Sequence, residues 1–139
     1  MNRRQARELA FSLLFEREFD KTREVKELYD TAKEARTAEE NKYVRLVLAG
    51  VAEHEEELEG MIAEAAKGWS ISRISKVSLA VLKLSAYEML YCPDIPIRVS
   101  LNEAIEIVKH YDDDEARAFV NGVLNTIAAR AQALRPDGN

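Results

Sequence analysis

The chain has 139 residues and a net charge of −5, and its 47% hydrophobic and 32% charged residues fit one soluble globular domain. A single cysteine excludes an internal disulfide and a zinc site built from several cysteines. No apolar run is long enough to span a bilayer, and no signal-peptide core follows the N-terminal charges, so we expect an intracellular protein that contacts no membrane.

The first half of the chain is predicted to form three helices. Apolar residues spaced three and four apart indicate a helix over residues 3–19 and a short one over residues 25–35. Thr37-Ala38-Glu39-Glu40 has the pattern of a capping box and predicts the start of a long third helix. Within it, Gly50 indicates a bend or the close approach of another helix. Gly68 is suited to cap its C-terminal end.

The second half of the chain is predicted to form three longer helices after a short helical turn. The first covers residues 78–91, and Pro93-Asp94-Ile95-Pro96 must be a connector because proline does not fit a helix interior. Ser100-Leu101-Asn102-Glu103 is a second capping box and opens the next helix. An acidic turn at residues 112–115 leads to a last helix whose apolar seam extends to Leu134.

These elements predict an all-α fold of about seven helices, packed as one or two small bundles. The last residues, 136–139, are predicted to be a disordered tail. Charge is uneven along the chain: three arginines crowd the first helical turns, and residues 65–87 contain bases but no acid. Such basic islands on an acidic body suggest a local site for a polyanion, although an ordinary solvated helix surface is the alternative.

Five sequence blocks resemble the NusB family, and their order and spacing cover the chain from Arg3 to about Ala129. They are Arg3-Arg4-Gln5-Ala6-Arg7-Glu8-Leu9-Ala10, Leu48-Ala49-Gly50-Val51, Val81-Leu82-Lys83-Leu84-Ser85-Ala86-Tyr87-Glu88, the run from Ile95 to Lys109, and Phe119-Val120-Asn121-Gly122-Val123-Leu124. The resemblance implies a NusB-like fold in which an N-terminal bundle (about residues 1–68) and a C-terminal bundle (about 69–135) form one globule.

The resemblance also implies a function, that of an RNA-binding transcription antitermination factor in the bacterial cytoplasm, with no cofactor and no enzymatic activity. Family members pair with the small-subunit ribosomal protein NusE, and the pair binds boxA, a short single-stranded element of nascent ribosomal RNA. The complex joins the elongating RNA polymerase through other Nus factors and suppresses termination. Self-association as a homodimer is left open by the sequence.

Arg3, Arg4 and Arg7 are the first candidate RNA contacts. The planar guanidinium group donates two parallel hydrogen bonds and stays charged, which suits phosphate. Three arginines within five positions of one helix end can therefore grip adjacent phosphates, and the resemblance implies the same role. The alternative is that these arginines pair with acidic residues of the protein.

Phe119, Asn121 and Lys76 complete the predicted RNA site. Val120 belongs to the apolar seam of the last helix, so Phe119 and Asn121 are displaced to either side, where a ring can stack on a base and an amide can bond its edge. The alternative is a packed Phe119 and an Asn121 bonded to a loop. Lys76 belongs to the acid-free stretch, which in the family lies near both RNA and the partner.

Phe15, Arg73 and Ser78 are the candidate contacts to the protein partner. The resemblance implies this role for Phe15, at a position where an aromatic residue is usual. Arg73 belongs to the same acid-free stretch as Lys76. Ser78 departs from the family, which usually has an acid here, and this departure puts any polar contact of that acid in doubt.

Enzymatic and metal chemistry have no support in the sequence. His54 and His110 lack companions at ligand spacing, and Asp112-Asp113-Asp114 lacks the glycine and distal glutamate of a calcium loop. The alternative to RNA binding is a helical interaction scaffold or self-associating dimer. The clustered arginines together with Phe119 favour RNA, because a scaffold does not need them.

Overall fold

The computed structural model describes residues 1–35 and 40–135, so the predicted tail at 136–139 lies outside it. Within these ranges the chain forms seven α-helices and one 3-10 helix, and the predicted all-α fold is confirmed. The elements are α1 (Arg3–Arg17), α2 (Val25–Ala35), α3 (Lys42–Glu53), α4 (Glu55–Ala65), the 3-10 helix (Ile71–Arg73), α5 (Lys76–Tyr91), α6 (Ile97–Tyr111) and α7 (Asp114–Leu134).

Helix α5 is the central element of the fold. It packs against α1, α3, α4, α6 and α7, and every residue from Ser78 to Met89 is buried. A helix that is enclosed on all sides must be apolar around its whole circumference or satisfy its polar groups with partners. One continuous hydrophobic core joins the helices on both sides of residue 68, so the division into two bundles at that point stays a prediction.

Lys83 is buried in this central helix, although it belongs to the stretch that the sequence presents as a basic surface. It is 1% exposed. Its Nζ donates hydrogen bonds of 2.5, 2.9 and 2.8 Å to Glu18, Glu55 and Glu59. Arg17 and Lys21 bind the same carboxylates from the side and bring the cluster to neutrality. Burial lowers the pKa of Lys83, but these hydrogen bonds outweigh burial and raise it, so the amine stays charged.

The long third helix of the sequence analysis is two helices in the structure. The chain breaks at His54, which has φ −104° and ψ 17°, and α4 starts directly after it. Helix α3 begins at Lys42 rather than at the predicted capping box, whose residues 37–39 lie outside the described ranges. Asn41 caps α3, because its side-chain oxygen accepts a hydrogen bond from the Val44 amide.

The capping box predicted at Ser100 is also wrong. Helix α6 begins at Ile97 after Pro96, whose φ of −58° is already that of a helix and whose missing N–H needs no partner there. Ser100 therefore lies inside the helix. Its hydroxyl donates a 2.7 Å hydrogen bond to the buried carboxylate of Glu88 instead of capping a helix end.

The C-terminal end of α7 differs from the predicted seam. Leu134 is 69% exposed, whereas the next residue, Arg135, is buried. The Arg135 guanidinium donates hydrogen bonds to the main-chain carbonyls of Glu88, Met89, Cys92 and Ile95. It satisfies carbonyl groups at the C-terminal end of α5 with a positive charge, which also suits the helix dipole.

Gly50 marks a close approach of two helices, one of the two roles predicted for it. A β-carbon at Gly50 would lie 2.2 Å from Cζ of Tyr87 on α5, a distance that no packed side chain tolerates. Since the Tyr87 ring is only 6% exposed, it has little room to move away. The absent side chain at Gly50 therefore sets the distance between α3 and α5.

Replacing Gly50 by alanine should destabilise the protein by about 1–3 kcal/mol, because the added methyl group overpacks the α3–α5 contact. Gly60 provides the matched control, since it also lies inside a helix but has no atom within 4 Å of an added β-carbon. Gly60→Ala should raise stability by about 0.5–1 kcal/mol through helix propensity alone. Urea denaturation of the two variants and the parent checks this, and equal effects at both glycines would contradict the close approach.

Candidate nucleic-acid and partner interfaces

Arg7 is not an exposed phosphate contact, and the prediction that it lies on the surface with Arg3 and Arg4 is wrong. It is 4% exposed. Its Nε donates a 2.8 Å hydrogen bond to Glu88 on α5, and its Nη1 lies 3.3 Å from Glu103 on α6. Because its charge is paired with these two carboxylates inside the protein, Arg7 holds α1 against α5 and α6.

The carboxylate of Glu88 is the centre of this buried network. Besides Arg7, the hydroxyl groups of Tyr43 on α3 and Ser100 on α6 donate to it. Burial, together with the nearby Glu88 charge, raises the pKa of Tyr43, so the phenol keeps its proton and remains a donor. Four helices therefore meet at one carboxylate whose charge is balanced by one guanidinium.

Arg3 and Arg4 are exposed at the start of α1, as predicted. The α1 terminus is ordered by a capping box in which Asn2 and Gln5 exchange hydrogen bonds. The Arg3 guanidinium lies 4.5 Å from the centre of the Tyr43 ring, and Arg4 lies 3.2 Å from Glu103 with 74% of its side chain exposed. Only the Arg4 side of this pair is exposed, because the Glu103 side chain is 14% exposed and also binds Arg7. The guanidinium group has five N–H donors, so Arg4 can bind a phosphate in addition to Glu103.

A groove lies between α1 and α6. It has a volume of about 200 Å³, and its charged lining residues include Arg4, Arg7, Glu8, Glu103 and Glu106. The three carboxylates outnumber the two guanidinium groups, which limits the attraction of this groove for phosphate. Phe119 lines a different groove, so Arg4 and Phe119 do not share one groove.

A row of aromatic side chains runs along α1 on the side that faces α6. This aromatic row consists of Phe11, Phe15 and Phe19, at helical spacing, together with Tyr111. Phe11 is buried, Phe15 is half-buried, and Phe19 is 65% exposed. The Nζ of Lys76 lies 5.2 Å from the centre of the Phe19 ring. An exposed apolar patch with a charged neighbour is typical of a protein-binding surface.

A second groove lies at the start of α7, and we call it the α7 groove. It has a volume of about 230 Å³, and its lining includes Trp69, Arg73, Ser78, Asp112, Glu115 and Phe119. The Phe119 ring is half-buried, packs against the core and lies 5.6 Å from the Trp69 ring, centre to centre. Phe119 was expected to be displaced from the core, but one part of its ring packs there and the other part is accessible. Asn121 is exposed, as expected.

Three of the predicted site residues have different neighbours from those expected. Ser78 is 2% exposed and forms part of the floor of the α7 groove, so its short side chain cannot present a polar group to a partner. Arg73, predicted as a partner contact, lines the same groove as Phe119. Lys76, predicted as an RNA contact, lies against Phe19 of the aromatic row.

Sequence reasoning missed Phe19 and Trp69 as surface groups. Phe19 continues the four-residue spacing of Phe11 and Phe15 beyond the end of α1, and this spacing was the available signal. Trp69 is the only tryptophan of the chain and lies in the acid-free stretch, but nothing in the sequence places it beside Phe119, fifty residues away.

Other kinds of site have little support in the described ranges. Residues 1–35 and 40–135 contain no group of three His, Cys, Asp or Glu side chains arranged to hold a metal ion. None of the helices there is long and apolar enough to cross a membrane. Burial raises the pKa of the Cys92 thiol to about 11, which keeps it protonated and unreactive.

The fold and these surfaces define a small all-helical binding protein, and comparison with known proteins gives its family. The model of the NusB family matches residues 4–129, so the chain belongs to the NusB family. Transcription antitermination protein NusB of Acetivibrio thermocellus is 38% identical, with 100% of this chain and 96% of that protein covered. The protein of the same name from Bacillus subtilis strain 168 is 40% identical, with 91% and 95% covered.

Solved structures agree with this assignment. T. maritima NusB has a TM-score of 0.81 at 34% identity, with 92% of this chain and 91% of that chain covered. A crystal structure of the antitermination factors NusB and NusE in complex with double-stranded RNA has a TM-score of 0.82 at 25% identity, with 92% and 96% covered. The NusB-like fold is confirmed, and so is the prediction of a non-enzymatic protein, because the relatives that the chain matches are transcription antitermination proteins.

Arg7→Ala should destabilise the protein by about 3–5 kcal/mol, because the buried Glu88 carboxylate would lose its balancing charge. Arg4→Ala removes the same charge three positions earlier, from an exposed pair, and should change stability by no more than about 0.5 kcal/mol. Urea denaturation of both variants gives the comparison. Equal stabilities would show that the Arg7–Glu88 pair does not hold α1 on α5.

Proposed function

We propose that this protein is an RNA-binding transcription antitermination factor that pairs with NusE and binds boxA single-stranded RNA in nascent ribosomal RNA. The complex helps RNA polymerase read through terminators, and it joins the elongating enzyme in the cytoplasm through other Nus factors. The observation that carries the proposal is the exposed Arg3–Arg4 pair at an ordered helix start in a NusB-family chain. The similar NusB–NusE complex with RNA supports both partners.

The RNA-binding residues are Arg3 and Arg4 for phosphates and Phe119 with Asn121 for bases. Arg73 joins this set because it lines the α7 groove beside Phe119. Arg7 acts indirectly, since it anchors α1 and thereby positions the two exposed arginines. Glu8, Glu103 and Glu106 in the groove between α1 and α6 oppose further phosphate contacts there, so the protein alone should bind RNA weakly.

NusE binds the aromatic row. Phe15 near the end of α1 and Phe19 just beyond it offer adjacent rings, one half-buried and one exposed, and buried ion pairs hold α1 through Arg7 and the following residue Glu18. Rigid aromatic anchors of this kind dominate protein interfaces. Lys76, beside Phe19, belongs to this surface and lies close to where bound RNA would approach.

Self-association is the alternative use of the aromatic row. A second copy of the chain could cover Phe15 and Phe19, in which case the protein would act as a dimeric scaffold. Sedimentation velocity of the protein with and without NusE separates the two uses. A dimer that NusE does not dissociate would favour the scaffold.

Replacing Arg3 and Arg4 together by alanine should weaken binding to a boxA-like single strand without loss of stability. The slope of log affinity against log salt should shrink by about 0.7 for each phosphate contact removed, or about 1.4 in total. The control is the double variant Arg23→Ala and Arg130→Ala, which also loses two arginines from surface pairs. Fluorescence anisotropy at several salt concentrations measures both, and equal slopes would remove the N-terminal arginines from the RNA site.

Adding NusE should tighten RNA binding, and Phe19→Ser should abolish this gain while RNA binding by the protein alone stays unchanged. Leu46→Ser is the matched control, because Leu46 is an apolar residue of similar exposure on α3, at 56% against 65% for Phe19. RNA titrations with and without NusE test each variant. A full NusE effect in Phe19→Ser would place the partner elsewhere.

A further inference from the structure

We propose that Trp69 is a second aromatic RNA contact, and that Trp69 and Phe119 together form the wall on which one unpaired base stacks. This inference rests on the proposed RNA binding and adds to it a residue and a chemistry, namely base stacking in the α7 groove. Trp69 lies outside the five sequence blocks that resemble the family, so that resemblance gives it no role.

The geometry of the two rings supports stacking. Their centres lie 5.6 Å apart and their planes meet at 57°, so the two rings are in contact but inclined rather than stacked face to face. Trp69 is 49% exposed, although indole is the largest apolar side chain in a protein. The groove beside the rings has a volume of about 230 Å³, which is enough for a nucleobase.

The backbone around Trp69 holds it in this position. Helix α4 ends before it, and Lys67 and Gly68 both have positive φ, 35° and 83°, which turns the chain sharply. The 3-10 helix Ile71–Arg73 follows at once. The indole is therefore presented by a short, bent segment whose two ends are fixed by helices, rather than by a long loop.

The charges around the groove favour a base over a phosphate as the group that enters. Asp112, Asp113 and Glu115 line the groove, and the Glu115 carboxylate is exposed, so a phosphate inside it would be repelled. Arg73 lines the groove as well and supplies a positive charge for the RNA backbone. A strand can thus place one base against the rings while a phosphate outside the groove pairs with Arg73.

The experiment uses the fluorescence of Trp69, which reports on this site alone because the chain has one tryptophan. A boxA-like single strand should quench the emission, and the quenching should saturate at the same RNA concentration as binding measured by anisotropy. An abasic strand of equal length, which offers phosphates without bases, should not quench. RNA that binds without quenching would overturn the stacking contact and leave the proposed function intact, whereas absence of RNA binding would overturn the function itself.

Variants separate stacking from a structural role of the indole. Trp69→Leu should weaken RNA binding about 5-fold or more, and Trp69→Phe should restore most of the affinity, while the salt slope stays unchanged in both. Tyr91→Leu, which removes an exposed ring on α5 outside the groove, should leave RNA affinity unchanged. Equal affinities of Trp69→Leu and the parent for RNA would overturn the proposal. Quenching of the Trp69 fluorescence by a lysine-rich peptide at lower concentrations than RNA would also overturn it, because such a peptide has no base to stack.

Discussion

The fold depends on one buried carboxylate. Glu88 is 1% exposed and lies in the last turn of the central helix, where it accepts hydrogen bonds from Arg7, Tyr43 and Ser100, each on a different helix. An unpaired charge at that depth would be strongly destabilising, so the three donors must be in place together. This requirement fixes α1, α3 and α6 around α5 in one arrangement. The exposed arginines at the start of α1 owe their position to it.

Two further buried charged groups along α5 also hold neighbouring segments in place through their partners. Lys83 gathers three carboxylates from the α1 end and from α4, and Arg135 binds the carbonyl groups at the C-terminal end of α5. Helix α1 is thus held at both ends, by Arg7 near its start and by Glu18 just after its last turn. Phe11 and Phe15 lie between these two anchors and Phe19 directly follows Glu18, so a partner that binds this surface loses little entropy in ordering it.

Helical periodicity was sufficient to predict the all-α class and most of the helices, because most of them have one apolar face, but it merged α3 and α4 into one helix. Periodicity was not sufficient to predict which charged residues are buried. Arg7 and Lys83 read as surface groups because their partners, Glu88 and Glu18, lie 81 and 65 residues away in the sequence. The capping box at Ser100 failed for a related reason, since its hydroxyl serves Glu88 instead. For the proposed site, the sequence predicted Phe119 and the first two arginines but not Trp69, because only the tertiary fold brings Trp69 to Phe119.

The burial of Arg7 changes the expected balance of RNA binding. Two exposed arginines at the start of α1, each worth about 0.7 in the salt slope, give this end of the protein a small electrostatic contribution on a chain of net charge −5. The three carboxylates in the groove between α1 and α6 lower it further. Under the proposed function, affinity therefore comes mainly from base contacts and from a partner that brings its own phosphate contacts. An antitermination factor with these surfaces would bind RNA tightly only after its protein partner has bound. Its RNA binding is therefore coupled to assembly of the complex.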